Sequence, residues 1–211
     1  MADKSYIISI AGNIGVGKTT LAERLAKTFG WKVYYESVIN NPYLDNFYKD
    51  MKRWSFNLQI YFLSHRFRTL KTMTELKESA VQDRTIYEDV EIFAKSLYEQ
   101  GYMAERDYKT YRDLFYDMIP YIPSPDIIIY LKASPAVLLE RINKRGRGFE
   151  KTISKEYINY LNNSYESWIK NAKKELNIVE INSDDVDYVK GEKELNELVQ
   201  IIRKYIPTAG L

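Results

Sequence analysis

The sequence predicts an α/β fold, in which a five-stranded parallel sheet is covered by helices on both faces. Two observations support this prediction. Short apolar runs, typical of buried strands, alternate along the chain with longer amphipathic stretches. A glycine-rich turn also joins the first apolar run to the first amphipathic stretch. The length of 211 residues suits one compact domain, so we expect a single domain over residues 1–211.

The strands and helices follow from hydrophobic periodicity. Five short, mostly apolar runs predict strands at Tyr6–Ala11, Trp31–Glu36, Ala80–Arg84, Asp126–Leu131 and Asn177–Ile181. Apolar residues three or four positions apart predict helices at Thr19–Phe29, Trp54–Leu70, Ile86–Tyr98, from Pro135 onward, and at Glu192–Tyr205. The proline-containing segment Ile119–Asp126 predicts a loop before the fourth strand.

Composition narrows the class of protein. The 31 basic and 29 acidic residues nearly balance, whereas a general nucleic-acid binder usually carries a large basic excess. There is no cysteine, which excludes a disulfide framework. The residues before the glycine-rich turn are too few and too polar for a signal peptide, and no apolar run approaches the roughly 20 residues of a membrane span. We therefore expect a cytoplasmic protein with no nucleic-acid or membrane partner.

The glycine-rich turn, GNIGVGKT, matches the phosphate-binding pattern G-x-x-x-x-G-K-[ST] between a predicted strand and a predicted helix. Its glycines let backbone N–H groups converge on one anion, and the helix N-terminus adds positive potential. Lys18 can reach the terminal phosphates, and the Thr19 hydroxyl can hold Mg²⁺. A nucleoside triphosphate with Mg²⁺ is therefore expected at Gly12, Asn13, Ile14, Gly15, Val16, Gly17, Lys18, Thr19 and Thr20.

Charged residues end two further strands. Glu36 ends the second predicted strand, and Asp83 and Arg84 end the third. Open α/β sheets bind ligands at these carboxyl ends. A carboxylate there can take a proton from an attacking hydroxyl, and an arginine can neutralise a moving phosphoryl group. Each residue alone could equally be a solvated acid or part of a surface ion pair, but the three together beside a phosphate site favour function.

Polar residues interrupt the apolar faces of two predicted helices. Gln59 and Arg66 share one stripe, about 10 Å apart along the axis. Asp89 falls beside the apolar stripe of Ile86–Tyr98, whereas Glu88 is expected elsewhere around that helix. These groups could present hydrogen bonds to a flat polar ligand such as a nucleobase, with Phe93 as a stacking wall. A structural salt bridge with a capping acid near the helix start is an equal alternative.

A basic segment, RINKRGRG, ends the helix that begins at Pro135. Arg141, Arg145 and Arg147 surround two glycines, which suits a mobile arm that closes over phosphates. Alone, the segment would more readily be a solvated basic helix end. Beside a phosphate-binding turn, a lid over about residues 141–153 is favoured.

These segments together resemble the deoxyribonucleoside kinases, in the group that contains deoxycytidine, deoxyguanosine and deoxyadenosine kinases. The resemblance extends over nearly the whole chain. The segments that carry it are GNIGVGKTT, the acid in YYESV, YKDMKRWSFNLQIYFLSHRFR, DRTIYEDVEIF, RINKRGRG and ISKEYINYLNNSYESW. The resemblance implies a P-loop kinase fold with an Arg-rich lid, and a homodimeric enzyme of nucleotide salvage. Helices containing Phe56–Leu76 and Ile86–Gly101 would be candidates for the dimer interface.

The resemblance also implies the catalytic and donor-binding roles. Glu36 would be the general base for the 5′-hydroxyl, Arg84 would bridge that hydroxyl and the phosphoryl group, and Lys18 would also be catalytic. Segment Asn182–Tyr188 would hold the adenine of ATP, through Val186 or Tyr188. The ATP phosphates would lie under Arg141, Arg145 and Arg147.

On the acceptor side, the resemblance implies a pocket for a deoxyribonucleoside. The implied contacts are Gln59, Arg66, Asp89 and Phe93 for the base, and Tyr48 and Glu156 for the sugar 3′-hydroxyl. One departure concerns the metal, because the family often has Glu-Arg-Ser where this chain has Asp83-Arg84-Thr85. The shorter Asp83 is still expected to reach a Mg²⁺-bound water beside Thr19.

The Arg66–Asp89 pair matches the cytosine and purine kinases, whereas thymidine-preferring members have neutral residues there. An ionised aspartate accepts hydrogen bonds from exocyclic amines, and a buried charge against thymine would be costly. We predict deoxyadenosine as the acceptor, with deoxyguanosine and deoxycytidine as alternatives. One rival is a nucleoside monophosphate kinase, which the acidic and apolar stretch SVINNPYLDNF disfavours. Another is a GTPase-type or non-catalytic nucleotide-binding protein, but N-K-x-D is absent after strand four, where the chain has LKASP.

Overall fold

The computed structural model describes residues 4–36, 41–147, 150, 153–184 and 191–207. Its sheet has five strands in the order β2-β3-β1-β4-β5, and every neighbouring pair is parallel. The strands are β1 Ile7–Gly12, β2 Lys32–Tyr34, β3 Ala80–Asp83, β4 Ile127–Lys132 and β5 Ile178–Asn182. The predicted α/β class and five-stranded parallel sheet are therefore confirmed.

Helices connect and cover the strands. They are α1 Lys18–Phe29, α2 Leu44–Lys49, α3 Met51–Leu76, α4 Ile86–Glu88, α5 Lys95–Glu99, α6 Glu105–Met118, α7 Pro135–Arg145, α8 Lys155–Ala172 and α9 Glu192–Arg203. A π-helical segment, Asp89–Ala94, joins α4 to α5, and a 3₁₀ turn, Ile119–Tyr121, lies within the predicted loop. None of the helices within these described ranges is long and apolar enough to cross a membrane.

The core forms two apolar clusters that meet at the sheet. The larger cluster joins β1 and β4 to α1, α8 and α9, through buried residues such as Ile8, Leu25, Ile129 and Leu198. The second cluster packs α3 and α6 around the helical segments α4 and α5, and includes the buried Leu63. β1 lies between β3 and β4, so its carboxyl end is flanked on both sides by other strand ends.

Three predicted elements differ from those observed. β2 ends at Tyr34 because only three of its residues pair with β3, so Glu36 lies just beyond the strand. Helix α3 begins earlier, since the Asp50 side chain accepts a hydrogen bond from the Arg53 N–H and caps it. The segment Ile86–Glu99 is not one regular α-helix, because its central turn has the wider i→i+5 pattern of a π-helix.

Candidate active site

A cavity of about 640 Å³ opens at the carboxyl ends of β1 and β3. The phosphate-binding turn forms one wall, and α2, α3 and the π-helical segment form another. The predicted residues that line it are Ile14, Gly15, Gly17, Lys18, Thr19, Thr20, Glu36, Tyr48, Gln59, Asp83, Arg84, Asp89, Phe93, Arg141, Arg145 and Arg147. The cavity therefore collects residues that are distant in sequence at one edge of the sheet.

The glycines of the turn are required by close packing. Gly12 has a φ of 147°, and a Cβ there would lie 2.6 Å from the Leu131 carbonyl oxygen. Gly15 has a φ of 85°, and a Cβ there would lie 2.8 Å from Cγ1 of Ile142. Both positions demand a backbone that side chains rarely allow. The turn is thus pressed against β4 and α7, and its N–H groups can converge on an anion.

Lys18 is buried at the base of the turn. Its Nζ donates to the carbonyl oxygens of Gly12 and Asn13, at 2.9 and 3.0 Å. Burial, and then the nearby Arg84 guanidinium, lower the pKa of Lys18 to about 8. The ammonium therefore lies beside the phosphate-binding N–H groups in an environment that disfavours its charge, so an incoming anion would be attracted strongly.

Thr19 and Asp83 meet beside the turn. The Thr19 hydroxyl donates to Oδ2 of Asp83 at 2.5 Å. The buried Oδ1 of Asp83 has no hydrogen-bond partner within the described part of the chain. Burial raises the pKa of this carboxyl, although Lys18 acts in the opposite direction. A hydroxyl and an unsatisfied carboxylate oxygen are hard oxygen ligands, so these two residues fit Mg²⁺.

Glu36 and Arg84 are in direct contact in the cavity lining. Nε of Arg84 lies 2.5 Å from Oε1 of Glu36, and Nη2 of Arg66 lies 3.5 Å from the same oxygen. Burial alone would raise the pKa of Glu36, but the Arg84 and Arg66 guanidinium groups outweigh it and hold the pKa below its usual value. Glu36 is therefore an ionised carboxylate that can accept a proton or a hydrogen bond.

The backbone of Arg84 is strained, because its φ is 83° in a residue that is not glycine. Hydrogen bonds hold it on both sides: the Arg84 N–H donates to the Ile10 carbonyl, and Nη1 of Arg66 donates to the Arg84 carbonyl. The guanidinium carbon lies 4.4 Å from the centre of the Phe93 ring. This geometry points the side chain into the cavity instead of along the strand.

The polar residues of the two helices form a direct pair. Nε and Nη2 of Arg66 donate to the two carboxylate oxygens of Asp89, at 2.7 and 3.2 Å. Asp89 lines the cavity, whereas Arg66 lies behind it. Gln59 is buried against the same wall, and its Oε1 has no hydrogen-bond partner among the residues described. This wall of the cavity thus presents the fixed, charged Arg66–Asp89 pair next to the amide oxygen of Gln59, which can accept a hydrogen bond from a ligand.

The structure does not support the predicted place of Glu156. That residue lies exposed in the first turn of α8 and is not in the cavity lining. Glu150 is the buried acid that lines the cavity instead. The pKa of the half-buried Tyr48 is raised, first by desolvation, then by Tyr157 and by the Glu150 charge. Glu156 was assigned from the resemblance alone, and no periodic pattern in the sequence marks Glu150.

The three arginines of the predicted lid differ in their contacts. Arg141 is held by backbone, since it donates to the Val16 carbonyl at 3.3 Å and to the Ser183 carbonyl at 2.6 Å. Arg145 donates twice to the carboxylate of Glu150, at 3.0 and 2.6 Å. Arg147 lies 3.7 Å from the same carboxylate. Parts of the lid and of Asn182–Tyr188, including Val186 and Tyr188, lie outside the described residues.

Two residues that the sequence did not single out lie directly behind the site. Glu88 has no exposed surface, although it was expected away from the apolar stripe. It forms a capping box with Thr85, so the capping acid is Glu88 and not Asp89. Tyr165 of α8 is also fully buried, and its hydroxyl contacts Glu88. The spacing of Thr85 and Glu88, T-x-x-E before an apolar run, is the signal that could have found Glu88.

Comparison with known proteins agrees with this geometry. The family model described as deoxynucleoside kinase matches residues 8–207. A deoxyadenosine/deoxycytidine kinase of Bacillus subtilis is 43% identical over 205 residues, which is 96% of this chain and 94% of that protein. A deoxyadenosine kinase of Dictyostelium discoideum is 45% identical over 181 residues, or 85% of this chain and 74% of that protein.

A solved structure of deoxyadenosine kinase from M. mycoides with bound dATP has a TM-score of 0.82 and 35% identity to this chain. It is matched over 94% of this chain and 99% of that one. The same enzyme with dCMP and a flexible dCDP bound gives a TM-score of 0.83 at 33% identity, over the same shares of both chains.

Proposed function

The chain belongs to the deoxynucleoside kinase family, and from this premise we propose that deoxyadenosine is its preferred acceptor and deoxycytidine its second. The reaction of the family transfers the γ-phosphoryl group of ATP to the 5′-hydroxyl of a deoxyribonucleoside. The observation that carries the proposal is the buried Oε1 of Gln59, which lacks a partner within the described ranges and lies in the cavity wall with Asp89.

The chemistry of the bases explains the preference. Adenine and cytosine both present an exocyclic amine next to an unprotonated ring nitrogen, so one amide side chain can accept from the first and donate to the second. Guanine presents a carbonyl oxygen in place of that amine. Asp89, held by Arg66 at 2.7 Å, adds a second acceptor that favours amine groups over the thymine carbonyl. Two relatives, at 43% and 45% identity, are named for deoxyadenosine, and the first of them is also named for deoxycytidine.

We assign the chemical step to three side chains. The Glu36 carboxylate takes the proton of the acceptor 5′-hydroxyl, whose oxygen then attacks the γ-phosphorus while the bond to the ADP oxygen breaks. Arg84, whose Nε lies 2.5 Å from Glu36, neutralises charge on the moving group. Lys18 and the N–H groups of the turn bind the phosphates of the donor. Most of the catalysis in such transfers comes from positioning and charge neutralisation.

Thr19 and Asp83 would hold Mg²⁺ with the donor, since their oxygens lie 2.5 Å apart and Oδ1 of Asp83 is otherwise unsatisfied by the described residues. The ion would supply neutralisation of phosphate charge. For the sugar, we assign Tyr48 and Glu150 to the 3′-hydroxyl. Arg145 and Arg147, which contact Glu150, and Arg141 are assigned to the donor phosphates.

We also propose a cytoplasmic homodimer. The segment Ile86–Glu99 offers little surface, because it is mostly buried within the protomer. Helices α3 and α6 expose large apolar side chains, including Leu76, Leu114 and Tyr116, and suit an interface between two copies better. Light scattering of the purified protein would give a dimer mass, and charges placed at Leu76 and Leu114 would give a monomer.

A coupled assay for ADP release tests the proposed activity. The acceptors are deoxynucleosides, ribonucleosides and their monophosphates, each at equal concentration. We expect the highest kcat/KM with deoxyadenosine, followed by deoxycytidine. Release of ADP with monophosphates only would indicate a monophosphate kinase, and release without acceptor would indicate a nucleoside triphosphatase.

A further inference from the structure

Glu88 and Tyr165 form a fully buried pair that does not line the cavity. The Tyr165 hydroxyl donates to Oε1 of Glu88 at 2.6 Å and also lies 2.9 Å from the carbonyl oxygen of Gly12. An ionised or neutral polar group in such a place is costly unless every polar atom is satisfied. The partners of this pair therefore show what the pair stabilises.

The carboxylate of Glu88 joins two parts of the active site. Its Oε1 accepts from the N–H of Gly12, the first residue of the phosphate-binding turn, at 3.1 Å. Its Oε2 accepts from the N–H of Thr85, directly after the strained Arg84, at 2.7 Å. Thr85 returns the contact, because its Oγ1 accepts from the Glu88 N–H at 3.3 Å. One side chain thus fixes the turn that binds phosphate relative to the turn that carries Arg84.

The same pair holds the far end of the Arg84 side chain. Nη1 of Arg84 donates to the Tyr165 hydroxyl at 3.3 Å and lies 3.7 Å from Oε1 of Glu88. Burial, and then the Glu88 charge, raise the pKa of Tyr165, so its hydroxyl keeps its proton and can donate to Glu88 while it accepts from Arg84. Tyr165 is itself held in place, since its ring stacks on the ring of Tyr130 with 5.7 Å between the ring centroids.

Arg84 therefore has an acid on each side. Its Nε faces Glu36 inside the cavity at 2.5 Å, and its Nη1 faces the Glu88–Tyr165 pair behind the wall. Without the rear contact, the guanidinium could turn and bind Glu36 with both of its edges, because that bidentate geometry is the strong one. A Glu36 carboxylate engaged in this way would be less able to accept the proton of the acceptor hydroxyl.

We propose that Glu88 and Tyr165 are positioning residues, which hold Arg84 in its catalytic orientation and in register with the phosphate-binding turn. They do not contact substrate, and their effect passes through Arg84 and Gly12. This inference rests on the proposed role of Arg84 and goes beyond it, since it assigns a catalytic consequence to residues behind the site.

Tyr165→Phe is the sharpest test, because it removes only the hydroxyl. The hydroxyl contacts Arg84, Glu88 and the Gly12 carbonyl, and the contact with Arg84 is the one that we expect to affect the rate. Loss of that hydrogen bond to a charged group corresponds to roughly a 10-fold change in rate. We expect kcat with deoxyadenosine to fall by about that factor while KM for both substrates changes little. The melting temperature should fall moderately, because the buried Glu88 carboxylate and the Gly12 carbonyl each lose a partner. Tyr160→Phe is the matched control, since this tyrosine lies on the same helix and its hydroxyl donates to the exposed Glu99.

Glu88→Gln tests the other half of the pair. Both carboxylate oxygens of Glu88 accept from backbone N–H groups. In Glu88→Gln, the side-chain NH₂ group, which can only donate, must therefore lie against one of these N–H donors. We expect a larger loss of kcat than for Tyr165→Phe. The double variant should lose little more than Glu88→Gln alone, because both changes act on the same guanidinium.

The outcomes separate this inference from the proposed function. Suppose that the wild type and Tyr160→Phe are active, and that Tyr165→Phe folds and has the same kcat as both of them. The inference is then wrong, and the proposed function stands. If wild type and control are both inactive, the proposed function fails and the inference with it. If Tyr165→Phe does not fold, Glu88→Asp takes its place, because it keeps the charge but shortens the reach. Wild-type kcat in Glu88→Asp, or failure of both variants to fold, overturns the positioning role.

Discussion

Nε of Arg84 lies 2.5 Å from Oε1 of Glu36, in a cavity where both side chains are largely withdrawn from water. The two groups come from different strand ends that the order β2-β3-β1 places side by side. The guanidinium keeps the carboxylate ionised, and the carboxylate raises the pKa of the guanidinium against the opposing effect of burial, so each group holds the other in its charged form. Each residue therefore prepares the other for proton transfer and charge neutralisation.

The first prediction concerns the Glu36 carboxylate. Glu36→Gln preserves its size but removes its ability to accept a proton. We expect kcat to fall by roughly 100-fold or more, while ATP affinity by calorimetry stays nearly unchanged. Glu140→Gln, on the exposed side of α7, is the control and should behave as wild type. Near-normal turnover in Glu36→Gln would mean that another group acts as the base.

The second prediction follows from the pKa of Lys18, which burial and Arg84 lower to about 8 in the ligand-free protein. Bound phosphates would hold this lysine protonated, so binding must take up a proton once the pH exceeds that value. We therefore expect ATP affinity to weaken as the pH rises from 7.5 to 9.5, by calorimetry at each pH. Lys18→Ala should bind ATP weakly and without this trend; the same trend in the variant would place the titrating group elsewhere.

The third prediction concerns the buried Arg66–Asp89 pair. Removal of one partner leaves an unpaired buried charge, which typically costs about 3–5 kcal/mol of unfolding free energy. We expect Arg66→Met alone and Asp89→Ala alone to lower the melting temperature more than the double variant does. In a kinetic panel, the double variant should shift preference from deoxyadenosine toward thymidine. An unchanged order of acceptors would count against the role of this pair in base selection.

The fourth prediction compares two acids near the start of α8. Glu150→Gln removes the buried carboxylate beside Tyr48, so we expect KM for the deoxynucleoside to rise roughly 10-fold, as for one lost charged hydrogen bond. Glu156→Gln changes an exposed side chain and should leave KM unaltered. Initial-rate measurements with both variants decide the matter. A rise in KM for Glu156→Gln but not for Glu150→Gln would instead support the assignment of Glu156 to the sugar 3′-hydroxyl.

The fifth prediction concerns the metal. Asp83→Asn keeps an oxygen ligand but removes its charge, so activity should require a higher Mg²⁺ concentration for half-maximal rate. Wild-type activity should vanish in excess chelator and return with Mg²⁺. Asp113→Asn, on the exposed surface of α6, is the control. An unchanged Mg²⁺ requirement in Asp83→Asn would exclude this carboxylate as a contributor.

Much of the site could be predicted because it depends on sequence-local features. The pattern G-x-x-x-x-G-K-[ST] locates the phosphate-binding turn, and strand ends locate Glu36, Asp83 and Arg84 whatever the details of the loops. The Arg66–Asp89 contact followed from two polar residues on apolar faces, which require partners when buried. These inferences need only periodicity and the rule that ligands bind at the carboxyl ends of parallel strands.

The rest depended on geometry that periodicity does not encode. A regular helix of 3.6 residues per turn turns Glu88 away from the core, but the π-helical segment Asp89–Ala94 changes the phase directly after it. Glu88 and Asp89 can then both be buried, facing different partners. Tyr165 is one of 19 tyrosines, and nothing in its local sequence distinguishes it from the packing residues around it. Only the fold brings it to Glu88.

Arg84 has a left-handed backbone, with a φ of 83°. At this one position, the residue that best suits folding stability differs from the residue that catalysis needs. An ordinary residue in that region costs roughly 1–2 kcal/mol, which a glycine would not incur. A collection of variants screened only for heat tolerance would therefore tend to enrich glycine at this site, and with it chains that have lost the guanidinium. Efforts to engineer a more robust enzyme from this chain should keep residue 84 fixed and seek stability elsewhere.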